Sequence, residues 1–182
     1  MDFTELNISG CYWGNAKILK DDRGCFVKTY QESNYQKNGI PLDFKEEYYS
    51  VSNAGVVRGM HFQTPPHDHV KMVYCSKGAV LDAFVDLRKG SPTYLRAGTL
   101  KLSSENANIL ILAKGIAHGF CSLHDGTTMV YKTTSEYAPD SDGGILWNSC
   151  GIDWPDVAKP DLLSDRDKSL ISLSEFNTPF TY

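Results

Sequence analysis

The segment Arg58-Gly59-Met60-His61-Phe62-Gln63, with Lys71 ten residues after the histidine, and the later run Gly115-Ile116-Ala117-His118-Gly119-Phe120 bring an arginine, two histidines and a lysine into stretches of strand character. These side chains can move a proton without a metal. Histidine has an ordinary pKa of about 6.5 and is largely neutral at cellular pH, so His61 suits a general base. Lys71 could then hold a developing oxyanion, and the phenol of Tyr131 could act as the acid. The proton to be taken must be activated, most simply by a neighbouring carbonyl. A histidine or tyrosine on a strand is also commonly a satisfied structural residue, and residue type alone leaves both readings open.

A metal site is the competing use of the same histidines. His67-Asp68-His69 is an H-x-H pair that could join His61 and His118 around a cation. The position where an acidic ligand would be expected carries Lys71 instead, which is electrostatically wrong beside a dication. His67 and His69 also follow Pro65-Pro66, so they read as solvent-exposed loop histidines. These residues therefore favour the metal-free use of the histidines. Arg58 and His61 have opposite strand parity, and both can face one pocket only if the chain bulges between them. Gly59 is suited to that bulge.

The elements that must position these groups read as β-structure. Strand-length apolar runs recur between Gly, Pro, Asn and Asp clusters at residues 15–19, 25–30, 47–51, 56–62, 72–75, 80–87, 99–102, 109–112, 117–123 and 127–133. The spacing predicts an all-β sandwich or barrel. In the run 80–87, Asp82, Phe84 and Asp86 share one face and Leu81, Ala83, Val85 and Leu87 the other, giving one apolar face and one partly polar interior face. Helix is expected only at 32–37 and from Ser164, where Ser164 and Asp167 have the spacing of a capping box. Asp86 and Arg88 read as a structural ion pair near a strand end.

The 182 residues suit one domain spanning 1–182. With 18 basic against 22 acidic residues, a net charge of −4, the chain offers no general attraction for nucleic acid or anionic lipid. It shows no signal-peptide pattern at its start and no membrane-length apolar stretch, which predicts a cytoplasmic protein without membrane partners. Five scattered cysteines without a C-x-x-C pair argue against a disulfide framework or zinc knuckle.

Taken in order, Asp22-Arg23-Gly24-x-Phe26, Ser50-x-Ser52, Gly55 to Gln63 with Pro65-Pro66 and Lys71, Gly78-x-Val80-x-Asp82, Val85-Asp86-Leu87-Arg88 with Ser91-Pro92-Thr93, Gly115 to Phe120, Tyr131 and Leu163-Ser164-x-x-Asp167 form a recognisable series. With them the chain resembles the dTDP-4-dehydrorhamnose 3,5-epimerase family over nearly its whole length. The resemblance implies an all-β cupin, a jelly-roll β-barrel with a few short helices, that acts without cofactor on a nucleotide-diphospho-4-keto sugar. It implies that His61 abstracts the proton next to C4, Asp167 orients it, Lys71 stabilises the enolate oxygen and Tyr131 protonates the opposite face. Arg58 and Arg23 are implied at the substrate and diphosphate, Phe26 at the nucleotide base and His118 at the sugar, with Asp82 a further pocket-facing candidate. A homodimer is implied as well, because N-terminal strands commonly exchange between subunits in this family.

Three positions depart from the family pattern. Glu46 and Tyr48 stand where glutamine and asparagine are common near the bound nucleotide sugar, and His69 replaces a common glutamine near the pocket mouth. A glutamate can accept hydrogen bonds from a guanine edge or from extra sugar hydroxyls, which points to a GDP-linked 4-keto heptose of capsule or lipopolysaccharide synthesis as a second candidate donor. The same residues also fit an epimerase that inverts only C3 or only C5, and a metal-dependent cupin oxygenase or isomerase.

Overall fold

The computed structural model describes residues 1–40 and 42–182. The chain begins with β1 (Phe3–Glu5), β2 (Cys11–Asn15) and a hairpin of β3 (Ile18–Asp21) and β4 (Gly24–Val27). After helix α1 (Glu32–Lys37) come β5 (Glu46–Ser52), β6 (Val57–Gln63), β7 (Lys71–Lys77) and β8 (Ala79–Asp86). Then follow β9 (Ala97–Ser103), β10 (Asn108–Leu112), β11 (Ile116–Ser122), β12 (Thr127–Thr133), β13 (Asp142–Gly144) and helix α2 (Asp165–Lys168). Six strands form one antiparallel sheet in the order β1-β2-β10-β7-β12-β5, and five form a second in the order β13-β6-β11-β8-β9. This is the jelly-roll arrangement expected, with two sheets facing one another.

The core lies in three layers. Between the sheets, Val73, Leu110, Leu112 and Met129 from the first meet Val80, Phe84, Leu102 and Phe120 from the second. Behind the second sheet, Met60, Phe62, Ala83, Val85 and Ala117 are covered by C-terminal residues including Ile145, Cys150 and Phe180. Behind the first, Met72, Ile109 and Ile111 are covered by Ala16, Tyr35 of α1 and Ile40. Asp82 and Asp86 are fully buried on the inter-sheet side.

Asp86 is held by a bidentate Arg88 at 2.8 Å and by hydroxyls of Ser91 and Thr93 at 2.5 and 2.7 Å. It is the structural ion pair anticipated, with charge-assisted donors on both carboxylate oxygens. Four cysteines are buried and one, Cys25, is exposed.

Differences from the expected elements have local causes. The expected strand at 15–19 divides, because Ala16 donates its backbone N–H to Ala107 and turns the chain between β2 and β3. The short strands β1 and β13 and most of β2 were not expected; none is apolar throughout, and their ladder partners supply the pairing. Among the described residues, no helix is long and apolar enough to cross a membrane.

Candidate active site

A cavity of about 530 Å³ opens between the two sheets. Its first wall is a ladder of cross-strand neighbours. Glu46 pairs with Thr133, which pairs with Lys71; one step along, Tyr48 pairs with Tyr131, which pairs with Val73. Alternation along β5 aims Glu46, Tyr48 and Ser50 at the same space. The opposite wall comes from β6 and β11, where His61 lies directly across from His118.

The bulge anticipated at Gly59 is present. Between the pairs His118–His61 and Phe120–Arg58, β6 fits three steps against two on β11. The extra residue reverses the parity of Arg58, so Arg58 and His61 both line the cavity. Gly59 has φ +116°, and a Cβ there would lie 2.5 Å from the Gly119 Cα. Two glycines are needed where the strands press together.

Helix α2 supplies the partner of His61. Ser164 caps it by accepting a hydrogen bond from the Asp167 backbone at 3.1 Å, as the sequence spacing predicts. The Asp167 carboxylate turns away from the cap: its Oδ1 is 2.6 Å from His61 Nε2, and its Oδ2 accepts from Gly59 N at 3.3 Å. The cap and the histidine contact are compatible because one uses the Asp167 backbone and the other its side chain. Burial alone would raise the Asp167 pKa, but the His61 and Gly59 contacts and the Arg166 charge hold it below the usual carboxylate range. A carboxylate at Nε2 favours the proton there, leaving Nδ1 as the basic nitrogen.

Lys71 is buried, and desolvation lowers its pKa to about 8 against the opposing pull of Asp82 and Asp142. Deeper in, His118 Nε2 meets Asp82 Oδ2 at 2.9 Å, and Asp82 Oδ1 is buried without a hydrogen-bond partner among the described residues. Burial raises the Asp82 pKa and lowers that of His118, each shift opposed by the other's charge. Tyr131 is held by Ser50 Oγ at 3.1 Å and by the ring of Tyr48, stacked at 4.7 Å and 13°. Burial pushes the Tyr131 phenol above its ordinary pKa, so it stays protonated.

Of the sequence candidates, His61, Lys71, Tyr131, Asp167, Glu46, Tyr48, Arg58 and His118 meet at this cavity. Arg23 and Phe26 do not border it. They stand exposed on the β3–β4 hairpin, where Arg23 pairs with Asp21 at 2.5 Å. His69 lines the cavity, as its place in the family pattern near the pocket mouth implied and against the solvent-exposed reading of its loop; the segment after β12 lies against that loop, with Ser135 Oγ 3.1 Å from His69 Nδ1. Sequence reasoning missed Gln63, Ser135, Asp142 and Arg166 at the site. Arg166 bridges Asp142 at 2.7 Å and stands 3.0 Å from His61 Nε2. Its neighbour Asp167 could have signalled it; nothing local to Asp142 could. Among the described residues, no three His, Cys, Asp or Glu side chains are grouped to hold a metal ion.

Residues 5–175 match the family model described as dTDP-4-dehydrorhamnose 3,5-epimerase. The chain is 36% identical over 176 residues to the enzyme of that name from Methanothermobacter thermautotrophicus, covering 95% of each. It superimposes with a TM-score of 0.91 on the dTDP-6-deoxy-D-glucose-3,5-epimerase of Legionella pneumophila in complex with dTDP-4-keto-L-rhamnose, at 32% identity and covering 99% of this chain and 97% of that one. A 3'-monoepimerase from Streptomyces bikiniensis in complex with dTDP-quinovose matches with a TM-score of 0.87 and 34% identity, covering 93% of this chain and 86% of that one.

Proposed function

The chain belongs to the dTDP-4-dehydrorhamnose 3,5-epimerase family and is an isomerase, and from that premise we propose that it inverts both C3 and C5 of a nucleotide-diphospho-4-keto sugar. His61 Nδ1 takes the proton from the carbon beside the ketone. Lys71 balances the charge that moves to the enolate oxygen, and Tyr131 delivers a proton to the same carbon from the other face. The ketone re-forms with that centre inverted, the imidazolium releases its proton to solvent, and the phenolate regains one from solvent. Asp167 holds the histidine tautomer and stabilises the imidazolium.

One observation carries this reading: His61 belongs to one sheet and Tyr131 to the other, so base and acid border the cavity from opposite walls. Inversion needs proton exchange on both faces of a ring, and a single histidine reaches only one. His118 and Tyr48 flank the sugar in this scheme, while Arg58, a neighbour of Ser52 at 3.1 Å, holds diphosphate oxygens. Arg23 and Phe26 would reach diphosphate and base from a second subunit in a homodimer, which accounts for their exposure here.

Thymidine-linked 4-keto-6-deoxyhexose is the first donor to offer, since the relatives described above carry dTDP in their names or in the sugar bound to them. A GDP-linked 4-keto heptose of capsule or lipopolysaccharide synthesis is the second reading, supported by the Glu46 carboxylate at the cavity wall. The test is solvent deuterium uptake from D2O into each donor. Label at C3 and C5 is expected. Label at one carbon alone would reduce the activity to that of a single-centre epimerase, and no label in any 4-keto donor would sink the reading. Tyr131→Phe should still exchange deuterium while its yield of inverted sugar falls; an unchanged yield would remove Tyr131 from the acid role.

A further inference from the structure

The hydrogen-bond pattern around His69 fixes which of its nitrogens carries the proton. Gln63 Oε1 accepts from Ala138 N at 2.7 Å, which orients the amide and turns its nitrogen toward His69. That nitrogen has carbonyl acceptors at His67 and Glu136, 2.9 and 3.2 Å away, for its two protons. Ser135 Oγ, 3.1 Å from His69 Nδ1, gives its single proton to the His67 carbonyl at 2.8 Å. Each neighbour of Nδ1 has therefore committed its protons elsewhere. The stable arrangement has Nδ1–H donating to Ser135 Oγ, and Nε2 carries a bare lone pair.

Among the described residues, Nε2 has no hydrogen-bond partner, although the ring lines the cavity. The imidazole stays neutral, because burial and the Lys71 charge lower its pKa to about 3. A second acceptor lies along the same end. Glu46 Oε2 accepts from Tyr137 N at 2.6 Å, Oε1 has no hydrogen-bond partner among the described residues, and Glu46 is separated from Lys71 only by Thr133 on the strand between. The end of the cavity nearest the oxyanion-holding lysine thus offers acceptors that need donors from a ligand.

We infer that His69 Nε2, with Glu46 beside it, forms a subsite for a hydroxyl on the exocyclic carbon arm of the sugar, so that substrates bearing a 6-hydroxyl or a longer hydroxylated chain bind in preference to 6-deoxy sugars. The inference rests on the nucleotide 4-keto sugar reading. Next to the ketone, C3 bears a hydroxyl in both substrate types, whereas the arm on C5 ends in a methyl in one and carries hydroxyls in the other. A methyl against Nε2 would leave a desolvated acceptor unpaired; a hydroxyl would satisfy it.

Two pairs of non-reacting probes test this: dTDP-glucose against dTDP-6-deoxyglucose, and the same two sugars on GDP, titrated calorimetrically into the intact protein. The wild type should bind the 6-hydroxyl sugar roughly 5- to 20-fold more tightly than its 6-deoxy counterpart on whichever nucleotide is accepted, the range expected for one buried acceptor satisfied or left bare. His69→Leu should weaken only the 6-hydroxyl sugar and erase the preference. Equal affinities in the wild type, or equal weakening of both sugars by His69→Leu, overturns the inference while leaving the epimerase reading intact. Failure of all four probes to bind would overturn both. If His69→Leu does not fold, the wild-type comparison decides alone.

Discussion

His61 and Asp167 meet at 2.6 Å, and in the proposed mechanism a carboxylate serves this contact best, because it accepts from the imidazole and would balance the positive charge formed there. Asp167→Asn should lower kcat by about 10²-fold or more with little change in KM, the usual scale of positioned acid–base catalysis; a loss confined to KM would assign Asp167 to binding instead. Lys71 gives a pH signature. With its pKa lowered to about 8, the Lys71 ammonium is lost as pH rises through that value, and if it balances the enolate as proposed, kcat should fall on the alkaline side from there. Stability moves the other way. Between about 8 and the ordinary 10.5, the unfolded chain binds a proton that the folded chain does not, so the Lys71 contribution to stability rises with pH. Lys71→Met should accordingly be more stable than wild type at pH 7, with an advantage that narrows by pH 10 in thermal melts. A constant gap would contradict the buried-ammonium account. Asp167 has the usual carboxylate sense: its lowered pKa adds stability above the unfolded value, lost as pH falls through the folded one.

At the scale of the element, the bulge in β6 is what makes two side chains of opposite parity work on one cavity. Gly59→Ala should cost roughly 3 kcal/mol or more in denaturant unfolding, since a Cβ would meet Gly119 Cα at 2.5 Å on top of the strain of a positive φ. Gly90→Ala is the control. It has φ +87° with nothing within 4 Å, and should cost only about 1–2 kcal/mol for the strain alone. Equal costs would mean that the close approach of β6 and β11 is not what demands a glycine. The bulge was legible in the sequence because Arg58 and His61 cannot otherwise share a face, and β12 was legible to the residue because Thr127–Thr133 is a β-branched and aromatic run that follows Asp125-Gly126. The ladder through Glu46, Thr133 and Lys71 was not legible. Its members lie on three strands far apart in the chain, and their register depends on pairings that no local pattern encodes. For the same reason Asp142 and Ser135 gave no signal, while His69, read as a loop residue from the two prolines before it, was placed near the pocket mouth only by the family pattern.

For the whole molecule, the chief feature is surface that the single chain leaves uncovered. On the β3–β4 hairpin, Leu19 and Phe26 are 49% and 59% exposed, and on the edge strand β5, Tyr49 and Val51 are 70% and 54% exposed. Apolar side chains displayed on a hairpin and on an unpaired edge fit burial against a second copy. Sedimentation should report a dimer, and Phe26→Ala should raise KM several-fold with unchanged circular dichroism if the hairpin reaches into a neighbouring cavity. A fully active monomer would refute that use of the hairpin. The one exposed thiol, Cys25, sits beside Phe26 on this hairpin, while the other four are enclosed. The chain thus carries a natural attachment point for a single dye or spin label, on the hairpin that pairing is expected to cover, with no other cysteine to remove first.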